Sequence, residues 1–216
     1  MRLASQRCKR KNLRPFGDTN LTSLALAKFS KSNEISNLYL AAYEDELRKC
    51  AEPFPNVKVV QRSRESAYGE DIPSVMTYLK DVGEEVVAFI DTCTPFLLLA
   101  TFDEAVRYFK QHSFKSMMPA YGTYAWYFDS EGNLMNNDPN ALKANTKMLK
   151  PVYKACSAFI IAHKSRILNE NTYWSLTKDD PHIYAIDESE AVDIDTELDF
   201  QIAERLYQLR KPEMAT

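Results

Sequence analysis

The chain has 216 residues, 45% of them hydrophobic and 26% charged, a balance suited to one sizeable globular domain and not to a disordered or fibrous polypeptide. A formal net charge of −3 gives no global pull toward nucleic acid or an anionic membrane, so any anion site must be local. No apolar run approaches the roughly 18–20 residues of a membrane span, no apolar stretch follows the basic N-terminus as in a secretory signal, and the four scattered cysteines form neither a C-x-x-C pair nor a disulfide framework, which fits a reducing cytoplasm.

In chain order, Leu21 to Ser30 reads as a helix and Leu38 to Ala42 as a short apolar strand. Glu44 to Cys50 is helical, Val57 to Val60 strand-like, and Ser74 to Lys80 begins a helix after Pro73. Val86 to Ile90 is a continuous apolar run, the pattern of a strand buried on both faces. Thr101 and Glu104 have capping-box spacing, opening a helix that runs through His112. Ser116 to Ala120 and Tyr124 to Phe128 are expected strands, followed by a turn at Asp129 to Gly132. Ala158 to Ala162 is a second buried strand, His182 to Ile186 a short one, and Glu197 to Leu209 a closing helix. Alternating strands and helices without repeat or linker imply one α/β domain over residues 1–216, with 121–150 as an excursion. Five glycines and no G-x-G-x-x-G or G-x-x-x-x-G-K argue against a dinucleotide fold or a P-loop.

Three constellations could carry chemistry. Arg2, Arg7, Lys9, Arg10 and Lys11 crowd one short segment with Ser5 and Asn12. Such a loop suits a polyphosphate, whose charge must be offset before a nucleophile can approach; a solvated basic tail or nucleic-acid patch is the other reading. Asp193 and Asp195 alternate around Ile194, so on extended backbone both carboxylates point the same way, as a hard cation requires. The competing reading is a helix start, with Thr196 as N-cap and Glu197 and Asp199 in the first turn. The third is the polar turn Asp91 to Phe96, where the 86–90 strand ends, either a ligand loop or an ordinary connection. Cys93 lies there without a partnered histidine nearby in sequence, so a nucleophilic role is disfavoured. Tyr124, Trp126, Tyr127 and Phe128 read as a core or dimer-contact hairpin, not a base-stacking platform.

Arg2, Ser5, Arg7, Lys11 and Asn12 resemble the signature loop of the acylneuraminate cytidylyltransferases, and Val192 to Glu204 is similar to that family's C-terminal metal motif. Asp91 to Phe96 with Phe102 to Ala105 resembles its central loop and helix, and Arg62 and Ser74 fall at base- and ribose-side positions. The resemblance spans nearly the whole chain. It implies a three-layer α/β/α, Rossmann-like nucleotide-diphospho-sugar transferase fold with a mostly parallel mixed sheet, as a homodimer without nucleic-acid or membrane partners. It implies transfer of CMP from CTP to the anomeric hydroxyl of an acidic 2-keto sugar of the sialic acid (nonulosonic acid) type, with Mg²⁺. Arg2 and Lys11 would hold the triphosphate, Ser5, Asn12, Arg62 and Ser74 would complete the CTP site, Asp193 and Asp195 would carry the metal, and Asp195 would join Arg2 and Lys11 in the catalytic set.

The departures bear on the sugar. Asp91 stands where many members have Gln or Asn, and Lys154 where an arginine holds the sugar carboxylate; lysine keeps the charge but not the bidentate fork. Cys156 and Ser157 replace an Asn-Gly pair. A sugar other than N-acetylneuraminate is therefore expected to be held by Asp91 and Lys154, with a Kdo-like acid, a sugar phosphate or a non-catalytic nucleotide-binding role as alternatives. Members also begin with an apolar strand ahead of the first arginine. It is missing before Arg2, and we expect either a native start upstream of Met1, the favoured reading, or a compromised copy.

Overall fold

The computed structural model describes residues 7–136 and 145–214. In chain order these form α1 (Leu21–Phe29), β1 (Leu38–Ala42), α2 (Asp45–Arg48), β2 (Val57–Gln61), α3 (Arg64–Tyr68), α4 (Ile72–Val75), β3 (Val86–Ile90), α5 (Leu99–Gln111), β4 (Ser116–Thr123), β5 (Val152–Ala155), β6 (Phe159–His163), α6 (Lys164–Glu170), β7 (His182–Ala185) and α7 (Glu197–Met214).

The strands form two sheets. β1 and β2 pair in parallel from Leu38 opposite Val57 to Ala42 opposite Gln61. The second sheet has the order β3-β6-β4-β5, with β7 parallel to β4. β3 with β6, β6 with β4 and β4 with β5 are antiparallel, so parallel pairing is confined to β1–β2 and β4–β7. The α/β class and mixed sheet follow expectation, with fewer parallel ladders than the resemblance implied. Pro119, which has no N–H to give, lies where β4 passes from β6 to β5.

Apolar clusters lie on both faces of the sheets, giving three layers. On one face α5 presents Phe102, Ala105, Val106 and Phe109, at helical spacing, to Met117, Phe159 and Ile161 of the sheet and Phe29 of α1. Phe102 meets Phe29 and Phe159 edge to face, with centroids 5.1 and 5.6 Å apart. On the other face Val87 and Ala162 pack against Met76, Leu79, Val82 and Ile167. A third cluster joins the basic segment to α7 through Phe16, Phe200, Ala203 and Tyr207. Gly17 makes that approach possible: its φ is +61°, and a Cβ there would lie 2.8 Å from the Tyr207 ring.

Between β1 and β3 the two sheets do not meet. Among the described residues each strand has a ladder partner on one side only, β2 and β6 respectively. A cavity of about 470 Å³ separates them, lined by Leu38–Ala41 and Val86–Ile90. The expectation that 86–90 is buried on both faces therefore fails: Val86 is 41% exposed and Ala88 is exposed, because no strand among the described residues covers their open side.

Other local readings change as well. The 74–80 helix splits into the short α4 and a 3-10 turn at Thr77–Asp81. α5 begins at Leu99 without a side-chain cap of its own; the Glu190 carboxylate accepts from the Leu98 amide (2.9 Å) and the Thr101 hydroxyl (3.0 Å) instead. Tyr124 to Phe128 is not a strand and makes only an isolated bridge from Phe128 to Leu134. β5, α3 and α6 lack strong periodicity and went unforeseen. Among the described residues, no helix is long and apolar enough to cross a membrane.

Candidate active site

The basic segment is packed, not a solvated tail. Cys8 and Asn12 are buried. The Asn12 carbonyl accepts from the Thr22 hydroxyl at 2.9 Å, and its side-chain oxygen accepts from the Thr92 hydroxyl at 2.8 Å. Asn12 thereby ties the start of the chain to α1 and to the loop that ends β3. Arg14 donates to Glu197 at 2.6 Å and lies over the Phe200 ring, while Arg10 pairs with Glu46.

The second wall is the extended segment before α7. Thr196 and Asp199 form a reciprocal cap, the Asp199 amide donating to the Thr196 hydroxyl and the Thr196 amide to the Asp199 carboxylate. The helix-start reading thus explains Thr196 and Asp199, together with the Asp195 amide, which also donates to Asp199, and leaves the Asp193 and Asp195 carboxylates outside the cap. The Ile194 side chain is buried between them, and its amide donates to the Cys93 carbonyl at 2.9 Å, locking this segment to the 91–96 loop. Arg7 donates to the Asp195 carboxylate at 2.8 Å; Lys11, only 14% exposed, donates to the Ile194 carbonyl and lies 3.8 Å from Asp195.

Asp193 faces elsewhere. One ligand atom each from Asp91, Cys93 and Asp193 fall within 4.8 Å of one another. The Ser157 hydroxyl lies 3.4 Å from both the Asp91 and the Asp193 carboxylates. One oxygen of Asp193, Oδ1, is buried and has no hydrogen-bond partner among the described residues. Burial, then the charges of Asp91 and Asp195, push the Asp193 carboxyl above its usual range. A desolvated carboxylate with an unmet lone pair beside a second carboxylate is a donor set that suits a hard divalent cation. Burial, reinforced by Asp91, pushes the Cys93 thiol up to about 12. It is thus protonated at neutral pH, a poor nucleophile and a weak ligand. Burial opposes the charge on Lys11, but its hydrogen bond to Cys93 and the carboxylates of Asp91 and Asp193 outweigh it and hold the ammonium above its ordinary value.

Of the residues expected at the site, the structure therefore brings Lys11, Asn12, Asp91, Asp193 and Asp195 to one crevice beyond the end of β3. Arg2 and Ser5 lie outside the described residues. Arg62 is buried at the other sheet, donating to the Ser66 hydroxyl and to the backbone carbonyls of Ser66 and Val75 over the Tyr78 ring. Ser74 gives its amide and hydroxyl to Asp71, the cap of α4. Lys154 lies exposed on β5, its ammonium 5.6 Å from the Tyr121 ring. A hydrogen bond that it donates to Tyr121 raises its pKa. None of the described contacts ties Arg62, Ser74 or Lys154 to the crevice.

Sequence reasoning missed three supports. Ser157 bridges the carboxylates, Glu190 caps α5, and Lys28 donates to the carbonyls of Pro95 and Leu97 at 2.7 and 2.6 Å, holding the loop from behind. Burial lowers the Lys28 pKa to about 8. A single lysine in the apolar run Leu24–Phe29 was the available signal for it.

Three solved structures share this architecture. A CMP:2-keto-3-deoxy-manno-octonic acid synthetase complexed with CTP superposes with a TM-score of 0.71 at 7% identity, covering 97% of this chain and 96% of that one. A 4-diphosphocytidyl-2C-methyl-D-erythritol synthase from Anaerococcus prevotii gives 0.63 at 17% identity, with 90% and 88% coverage. A cytidylyltransferase from Leptospira borgpetersenii gives 0.58 at 14%, with 99% and 92% coverage. At these identities the likeness establishes the fold. No curated protein sequence matches. The cytidylyltransferase family model matches residues 1–214, and the chain, a nucleotidyltransferase, belongs to that family.

Proposed function

We propose that this cytidylyltransferase transfers CMP from CTP to the anomeric hydroxyl of an acidic 2-keto sugar of the nonulosonic acid type and releases pyrophosphate. The observation that carries the reading is the meeting of Lys11 and Arg7 with the Asp91–Asp193 pair and Asp195 in one crevice. Cations beside paired carboxylates suit a nucleoside triphosphate with its divalent cation better than either suits a neutral ligand.

On this reading Lys11 binds and orients the triphosphate, with Arg2 and Ser5 adding donors from the same segment. Asn12 positions the loop through Thr92. Asp193 holds Mg²⁺ with Asp91 or Asp195 beside it; bound there, the ion would neutralise phosphate charge and make the attacking hydroxyl more acidic. Arg7 keeps Asp195 aligned through their ion pair. Arg62 and Ser74 shape the base side, Arg62 by bracing the 64–76 segment. Lys154 supplies a cation for the sugar carboxylate from β5. Little covalent work falls to the protein, and positioning with charge neutralisation does most of it. A homodimer built on the exposed Tyr124, Trp126, Phe128 and Met135 completes the proposal, with residues 1–216 acting as one domain.

A second reading is a Kdo-type eight-carbon acid as acceptor. It is favoured by the fold likeness to the octonic acid synthetase and by the single cation, Lys154, in place of a bidentate arginine. The test is pyrophosphate release from CTP and Mg²⁺ across a panel of eight- and nine-carbon keto acids. Release with a nine-carbon acid supports the first reading, and release with an eight-carbon acid alone supports the second. Equal turnover with ATP or GTP, or CTP binding without release for any acid, refutes both.

A further inference from the structure

Lys28 and Glu190 stand behind the crevice and have no role in the chemistry proposed above. Lys28 projects from the last turn of α1, and its ammonium donates to the carbonyls of Pro95 at 2.7 Å and Leu97 at 2.6 Å. Glu190, 7% exposed, ends a 3-10 turn at Glu188–Glu190. Its two carboxylate oxygens accept from the Leu98 amide and the Thr101 hydroxyl. The two groups also feel each other: burial lowers the Lys28 pKa to about 8, and the Glu190 charge works against that fall. A cation from α1 and an anion from the turn ahead of Asp193 thus grip one stretch of backbone, Pro95 to Leu98.

That grip bears on Asp193 through spacing. Asp193 lies between two links from its own segment to the 91–98 loop. One is Glu190 to Leu98, and the other is the Ile194 amide to the Cys93 carbonyl at 2.9 Å. On the loop side the Cys93 amide donates to the Asp91 carboxylate at 2.8 Å, which fixes Asp91 relative to the second link. A single hydrogen bond is a pivot, and two segments joined by it alone can swing apart. The carboxylates supply a force in that direction, since burial and then the Asp91 charge push the Asp193 carboxyl up. The bonds made by Lys28 and Glu190 are charge-assisted, about twice as strong as neutral ones, and they close the frame at its other corner. We infer that Lys28 and Glu190 are a positioning pair that ties the 91–98 loop to the 190–195 segment and so sets the separation of the Asp91 and Asp193 carboxylates for a divalent cation. The inference rests on the cation-binding reading of the crevice.

The test measures Mn²⁺ affinity by calorimetry, without nucleotide, and hydrogen exchange by mass spectrometry in peptides covering 91–98 and 190–195. The wild-type chain is compared with Lys28→Met, Lys28→Arg, Glu190→Gln and the Lys28→Met/Glu190→Gln double variant. Lys28→Met keeps the aliphatic stem and removes the charge; where it does not fold, Lys28→Gln, which keeps a donor, replaces it. Each single loss of charge should weaken Mn²⁺ binding by about tenfold or more, the scale for losing a group that orients a metal ligand. The double variant should be no weaker than the worse single one, because the pair acts as a unit. Lys28→Arg should recover most of the affinity. Lys28→Met should also speed exchange in both peptides, although Lys28 touches only the loop. Unchanged Mn²⁺ affinity in Lys28→Met, multiplying losses in the double variant, or faster exchange confined to 91–98 overturns the inference and leaves the cation reading standing. A wild-type chain that binds no Mn²⁺ overturns both.

Discussion

Two regions on either side of β3 are finished to different degrees. At its C-terminal end the basic segment, the 91–97 loop and α7 close on one another around Phe16, Phe200 and Ile194, all fully buried. Along its flank the same strand leaves an open apolar slot, with Val86 and Ala88 exposed. The difference teaches that the candidate crevice is held by short-range locks between loops, of which Asn12 to Thr92 stands at the edge of the slot. Asn12 to Thr92, Ile194 to Cys93 and Lys28 to the Pro95 and Leu97 carbonyls join loops directly.

The sharpest way to break that comparison is to disturb the chemistry without the packing. On the proposed function, Lys11→Ala should lower kcat/KM for pyrophosphate release by about 10²–10³-fold, the scale for losing one charge-stabilising donor. Its thermal midpoint should move little. A collapse of the midpoint would show that Lys11 is a structural lock and not a phosphate ligand.

Packing gives the next largest effect and tests the two regions against each other. Phe200→Ala removes a fully buried ring that meets Phe16 edge to face at 5.5 Å, and should cost about 3–5 kcal/mol in denaturant unfolding. Ile90→Ala, on the half-buried slot wall, should cost only about 1–2 kcal/mol, since solvent already reaches that side. Equal costs would mean that the slot is closed in solution.

Asp180 extends the comparison to the far side of the sheet. It accepts two bonds from Arg166, at 2.8 and 2.7 Å, and further ones from Ser116 and Ser175. The Arg166 guanidinium, with the serines, holds its carboxyl well below the usual range. A depressed carboxylate contributes stability above the unfolded-state pKa, and that contribution is lost as pH falls through that value toward the folded one. Asp180→Asn should cost about 3 kcal/mol near neutral pH and flatten the acid limb of the stability profile, as measured by denaturant unfolding between pH 2 and 7.

The smallest effect has the opposite sign. Asp193→Asn removes a carboxylate that burial and Asp91 disfavour. After allowance for solvent screening it should stabilise the protein by a fraction of a kcal/mol, up to about 1. It should at the same time weaken Mn²⁺ binding measured by calorimetry. A destabilised variant that still binds the ion would remove Asp193 from the metal site.

Much of this was legible in the sequence. Apolar runs located β1, β2, β3 and β6 within a residue or two. The basic segment, the Asp91 turn and the 192–204 motif marked the crevice walls. Period and capping chemistry are local, so they survive without knowledge of neighbours. What failed was non-local. The Thr101 spacing suggested a capping box, yet Glu190 from a distant turn does that work.

The sequence by itself determined the alternation of strands and helices and the charge carried by each wall of the crevice, because those follow from side-chain chemistry within a few residues. Only the tertiary structure decided that Asp91, Cys93 and Asp193 converge while Asp195 turns to Arg7, that Ser157 and Lys28 support them, and that β1 and β3 face each other across a gap. Strand edges and loop ends meet through chain topology, and no local pattern encodes which ones will lie side by side.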